Sequence, residues 1–309
     1  MRLKFTLILA MLCTLVLSPG SAWSEDSDRT FLGYGRLFTN DLLGDGHDRW
    51  QTGSLQTSRV WGPRRQDIVP ETFGDMLELR ITGQVAAPWD LTRTTTGDRR
   101  FATALTFGLH THFKPNDWQY SLGVHASVIG KNNGIEAMQS KIHEAVGADQ
   151  LSDFTSSSQI ANQTVLGFTG EVRRQIQLSE RVNVMPFIEA RKGLEDMIRV
   201  GGDLRISTIG QKDFYVRDGV TGTLYPTVIH PEEGTAFIIG ADTAWVEGSR
   251  FLPDNDWATL TQERHRVRLG LLRKGERFSG FYGLTWLSPE FDEQGSGQVV
   301  GSLRLDFAF

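Results

Sequence analysis

Cysteine is almost missing from this chain of 309 residues; the one present, Cys13, lies close to the N-terminus. A disulfide framework is therefore excluded. The paired Cys/His spacings of zinc sites are lacking as well, and so are HExxH and Gly-x-Ser-x-Gly, which removes the zinc-protease and nucleophile-elbow readings. Positive charge is not in excess, with 32 Lys+Arg against 37 Asp+Glu and a formal net charge of −5. The electrostatic footprint of a nucleic-acid binder is thus absent. No apolar run in the body of the chain approaches the roughly 20 residues a membrane-spanning helix needs. What is plentiful is glycine, at 33 residues, and aromatic side chains, at 10%. So much large apolar surface excludes a disordered chain.

The N-terminus reads as a secretory signal peptide. Arg2 and Lys4 precede the apolar run Phe5–Leu17, and Ser21-Ala22-Trp23-Ser24 offers small residues for cleavage after Ser24. Leu12 before Cys13 does not suit a lipoprotein site. Residues 25–309 are then one exported domain without covalent staples.

Period-two alternation dominates that domain. In 118–128, Trp118, Tyr120, Leu122, Val124, Ala126 and Val128 share one face, opposite Gln119, Ser121, Gly123, His125 and Ser127. Residues 76–85, 166–178 and 198–206 repeat the pattern, and such segments are strands. Two architectures accommodate them: a soluble sandwich with its apolar faces inward, or a membrane barrel with its apolar faces toward lipid and a polar lumen. Strand lengths of 9–11 residues or more fit a tilted bilayer crossing. Trp61, Trp118, Trp286 and Phe307 stand near segment ends, where interfacial aromatics belong. The last segment, 298–309, alternates to a terminal Phe309. The expected fold is therefore all-β, a transmembrane antiparallel β-barrel of about 12 strands, near 31–39, 50–61, 75–87, 100–113, 117–130, 164–178, 181–192, 197–207, 235–246, 264–273, 277–287 and 298–309. Tight turns at 114–117, 179–180 and 274–276 alternate with long connections near 40–49, 88–99, 131–163 and 247–263, which are expected outside the cell. The connection 208–234 breaks this order, being long on the opposite side.

Three clusters could carry chemistry. Residues 132–149 abandon alternation for helical spacing of Ile135, Met138, Ile142 and Val146, ending at Gly147, with Gln139 and His143 on one face. A histidine there is either a surface residue or a general base. Asn40, Asp41, Asp45, Asp48 and Thr52 gather hard oxygen donors suited to Ca²⁺, or simply form a turn. Arg93, Arg99 and Arg100 share one connection and could grip phosphate, or could pair with acids. His110 and His112 share a strand face and read as lumenal lining rather than a metal pair.

Taken in order, Thr39-Asn40-Asp41 with Asp48-Arg49 and Thr52-Gly53, Gly97-Asp98-Arg99 running into Phe101–Phe113, and Val128-Ile129-Gly130 with Gln139-x-x-x-His143 and Gly147-Ala148 resemble the outer-membrane lipid A 3'-O-deacylase family. Ser288-Pro289-Glu290-Phe291 and Gly301-Ser302 extend the likeness over nearly the whole exported chain. The resemblance implies a twelve-stranded barrel that hydrolyses an acyl ester of lipid A and depends on Ca²⁺. By that likeness His143 is the catalytic base and Gln139 its helix partner, while Asn40, Asp41 and Thr52 form the active-site and metal region. Arg93 and Arg99, with Asp149, fall in the substrate-binding region. Arg93 is followed by Thr94 where the family can carry a second cation, and Asp149 stands where it can carry Glu.

The expectation is thus an outer-membrane esterase, monomeric, facing the outer leaflet where lipopolysaccharide resides, with no nucleic-acid partner. The competing readings are an outer-membrane phospholipase, a non-catalytic pore or adhesin, and a secreted sandwich.

Overall fold

The computed structural model describes residues 29–64, 69–93, 96–254 and 256–307. The leader expected over 1–24, Thr94 and the terminal Phe309 lie outside them. Twelve long strands form a closed antiparallel wall: β1 (Arg29–Asn40), β2 (Trp50–Pro63), β3 (Met76–Ala87), β4 (Ala102–Phe113), β5 (Trp118–Ile129), β6 (Gln163–Arg174), continued by the short β7 (Ile176–Ser179), then β8 (Val182–Lys192) and β9 (Glu195–Ile206). After β10 (Phe214–Arg217) and β11 (Leu224–Val228), which are not part of the wall, it resumes with β12 (Gly234–Ser249), β13 (Glu263–Lys274), β14 (Phe278–Leu287) and β15 (Gln298–Phe307). Pairing of Phe38 with Leu303 and of Asn40 with Gly301 joins β1 to β15, and β9 pairs with β12, so the wall has no free edge. Closure leaves no open sheet edge, the condition for a sheet in lipid.

The alternation read from the sequence resolves into an apolar exterior and a charged interior. Leu166 is 78% exposed and Val124 65%, whereas Glu78, Asp203, Arg205, Asp242 and Arg268 are buried inside. The inward charges are paired: Arg80 donates to both Glu78 oxygens at 2.8 Å, and Arg266 Nε donates to Asp242 at 2.9 Å. Removing one partner of such a buried pair costs about 3–5 kcal/mol, and these pairs stand where a soluble protein has its apolar core. The sandwich reading, which needs apolar faces inward, is therefore excluded. Exposed aromatics ring both ends, with Phe31, Trp118, Phe278 and Phe307 at one and Trp245 and Trp286 at the other. His110 and His112 face the lumen as expected, His112 Nε2 lying 2.8 Å from Glu78.

The alternation of long and tight connections is incomplete. At the long-loop end β8 and β9 are joined by Gly193-Leu194 alone, a turn that Gly193 closes at φ +128°.

The anomalous connection between β9 and β12 folds back into the lumen. There β10 and β11 pair as a buried hairpin. Its backbone and side chains are held from around the barrel. Arg173 of β6 donates to Tyr215 O at 2.6 Å, Arg304 of β15 to Pro226 O at 2.7 Å, and Arg266 of β13 to Val220 O at 2.7 Å. Arg217 reaches outward to Glu171 and Asp203, at 2.8 and 2.9 Å. Against β1 the fit depends on glycine: a Cβ on Gly33 would lie 2.2 Å from Thr227 O. A lumen crossed in this way does not conduct. In planar bilayers the protein is expected to give no steady single-channel current, and open-channel steps of porin size would contradict the plug.

Candidate functional site

The site lies at the long-loop end and is built from two connections. The connection between β5 and β6 carries α1 (Ile135–Val146) and a one-turn α2 (Asp153–Ser157) that the sequence reading did not anticipate. The inward face of α1 consists of Ile135, Gln139 and His143. The expected apolar stripe is only partly used, since Met138 is exposed. Two polar residues thus occupy the buried face that apolar ones would ordinarily fill.

The end of α1 sets the histidine. Gly147 adopts φ +68°, its N–H reaches Glu144 O at 3.4 Å, and Ala148 N–H reaches His143 O at 2.9 Å. This Schellman reversal needs a left-handed residue, which glycine supplies without a Cβ penalty. It brings the Asp149 carbonyl to 2.6 Å from His143 Nδ1. A carbonyl can only accept, so Nδ1 carries a proton, and in the neutral imidazole the lone pair is then on Nε2. Nε2 faces Asp48 Oδ2 at 3.5 Å and the Gln139 amide nitrogen at 3.4 Å. Asp149 therefore serves through its backbone, while its side chain is exposed.

The second connection runs from β1 to β2. Asn40 donates to Thr52 O at 2.9 Å and accepts from Leu42 N–H at 2.9 Å. Asp41, 1% exposed, accepts from Leu42 N–H and Arg49 N–H, both at 2.8 Å. Asn40 and Asp41 thus shape the loop, which returns along β2 to place Asp48 against His143. Burial, reinforced by the neighbouring Asp48, pushes the Asp41 carboxyl up to about 9. Burial also raises Asp48, against the opposing pull of His143. Two carboxylates that resist ionisation together form a place where a cation would relieve the repulsion.

The donor set fits a hard cation. Asp48 Oδ1, Thr52 Oγ1 and Gln139 Oε1 are buried with no hydrogen-bond partner, and unpartnered buried oxygens are costly unless something else binds them. Among the described residues no three His, Cys, Asp or Glu side chains gather around one point, so a set completed by neutral oxygens suits Ca²⁺ rather than a nitrogen- or sulfur-seeking metal. Of the residues singled out in the sequence, Asn40, Asp41, Thr52, Gln139 and His143 come together here. Asp48, quoted there as an oxygen donor but given no role of its own, is the residue that links the two connections. Its position near the end of a turn-rich loop, two residues before β2, gave no sign of its proximity to α1.

The arginines are placed differently. Arg99 is buried and paired with Glu290 in the β14–β15 connection, and Arg100 pairs with Asp256 at 2.5 Å and lies over the Trp257 ring. Both act as struts between loops. Arg93 is exposed.

Beside His143 a groove of about 550 Å³ is lined by Asp48, Arg49, Trp89, Asp90 and Asp149, among others. That volume falls within the range of small-molecule sites, about 300–1,000 Å³.

The profile of the family described as outer membrane protein LpxR matches residues 7–309. No curated protein matches the chain. Among solved structures, LpxR from Salmonella typhimurium aligns with a TM-score of 0.70 at 18% identity, over 90% of this chain and 100% of that one. A KdgM porin aligns at a TM-score of 0.39 and 8% identity, over 91% of this chain and 99% of that one. The translocator domain of autotransporter NalP from Neisseria meningitidis aligns at 0.38 and 9%, over 100% and 95%. With residues 7–309 inside the matched region and its wall closed as a twelve-stranded barrel, the chain belongs to the LpxR family of outer membrane proteins.

Proposed function

We propose that the protein is a Ca²⁺-dependent esterase that removes the ester-linked 3'-acyl group from lipid A of lipopolysaccharide, with His143 as general base. The observation that carries this reading is the placement of His143, whose Nδ1 is tied to the Asp149 carbonyl and whose Nε2 faces Asp48, a residue that also lines the groove. A water held at Nε2 loses a proton to the imidazole as its oxygen attacks the ester carbonyl. Gln139 orients that water through its amide. The tetrahedral intermediate then expels the sugar oxygen, which takes the proton back from His143, leaving a fatty acid and a free hydroxyl. The Asp149 carbonyl stabilises the transient imidazolium through Nδ1–H.

Asp41, Asp48 and Thr52 would hold the Ca²⁺. Asn40, bonded to Thr52 O and Leu42 N–H, shapes the loop that carries them and belongs to the same oxygen-rich set. Bound there, Ca²⁺ supplies Lewis-acid polarisation of the ester carbonyl. The long-loop end faces the outer leaflet in this reading, since lipid A resides there. The plugged lumen disfavours the rival pore.

The reading is tested with purified protein in detergent and isolated lipopolysaccharide. Chelation is expected to stop loss of the acyl group, and added Ca²⁺ to restore it. Turnover indifferent to the chelator would remove the cation from the scheme.

A further inference from the structure

One wall of the groove is not used by the chemistry above. Trp89, in the connection between β3 and β4, is 56% exposed and lines the groove, yet its ring is fixed from behind. The Arg49 guanidinium lies 4.4 Å from the Trp89 ring and 4.5 Å from that of Trp50, and the two indoles pack on each other with centroids 5.4 Å apart. Arg49 is itself held by its backbone: its N–H donates to Asp41, and its carbonyl accepts from Gln298 at 2.7 Å. Trp89 N–H donates to Asp98 at 2.6 Å. Trp50 adopts φ +51°, a left-handed conformation rare for a bulky residue. Strain of this kind persists where the surroundings over-determine it, typically at binding sites. One face of the Trp89 indole is thus occupied and its orientation set, which leaves the other for a ligand.

The rest of the lining defines that ligand. Asp48, Asp90 and Asp149 contribute three carboxylates, and the one arginine is offset by Asp45 at 3.2 Å. Asp90 and Asp149, which the cation does not engage, offer acceptors to O–H and N–H donors. A flat π face beside an acceptor-rich rim suits a pyranose ring, whose C–H face meets the indole while its hydroxyl and amide groups meet the carboxylates. The geometry points to a hexosamine subsite, with Trp89 as the stacking platform and Arg49 as the residue that positions it. This rests on the deacylase reading, since it places the sugar that carries the ester beside His143.

The test uses purified protein in a zwitterionic detergent without a sugar head group. Two substrates are compared, lipid A and a p-nitrophenyl ester of the same acyl chain. Trp89→Ala and Trp89→Leu are expected to lower kcat/KM for lipid A relative to the ester by about tenfold, mainly through KM, and Trp89→Phe by much less. An unchanged ratio overturns the subsite. That includes an equal fall on both substrates, the result of an indole that merely anchors the loops at the membrane surface. Should the wild type leave lipid A intact, the deacylase reading fails, and the subsite is then read directly with chitobiose. Saturable quenching of tryptophan fluorescence in the wild type, weakened about tenfold in Trp89→Ala, supports it. No quenching of the wild type overturns it.

Discussion

Replacing His143 with alanine is expected to reduce deacylation by about 10²–10⁴-fold, the usual contribution of a positioned general base. The loss should appear in kcat. Without the imidazole, neither the attacking water nor the departing sugar oxygen has a partner for its proton. The barrel should survive, because His143 lies on a helix above the wall and its ring meets Gln139, Asp48 and the Asp149 carbonyl, none of them in a strand of the wall. Heat-modifiable migration in detergent gels checks folding, and mass analysis of lipid A checks activity. A folded His143→Ala variant with ordinary turnover would show that some other group is the base.

The second large effect is expected at Asp48. Asp48→Asn keeps the side chain's size and removes its charge. Cation affinity should fall by about 10–100-fold, as when a supporting carboxylate is lost from a metal site. Terbium luminescence, excited through the nearby tryptophans, reads this without any turnover. Activity at low Ca²⁺ should fall in parallel and recover partly at high Ca²⁺. Asp41 is a harsher place to intervene: its carboxylate closes the loop through Leu42 N–H and Arg49 N–H, and an amide there can accept only one of the two. Binding and activity both unaffected by Asp48→Asn would move the cation elsewhere.

The wall was legible because lipid enforces the alternation. Outward positions such as Leu166 and Phe168 must be apolar, and their inward neighbours need not be, so each crossing strand declared itself in sequence. The hairpin β10–β11 was not legible for the complementary reason. Buried on both sides between charged walls, Phe214–Arg217 and Leu224–Val228 carry no period. Only the unexpected length of the connection betrayed it. Helix α1 was found from its spacing, but its face was misjudged. Hydrophobic periodicity selects Met138, whereas the fold buries Gln139 and His143. Arg99 shows the limit of reading a charge cluster. Its partner Glu290 is 191 residues away, so nothing local distinguished a strut from a phosphate clamp. Asp48 is the reverse case, a residue given weight by the fold because β2 brings it under α1.

The most direct measurement is the mass spectrum of lipid A from cells producing the wild-type protein, beside cells producing His143→Ala at equal outer-membrane levels. The account expects a new species in the wild type, lighter by one ester-linked acyl group, and only the parent mass in the variant. Parent mass alone in both, with the wild-type barrel folded and Ca²⁺ present, would contradict it.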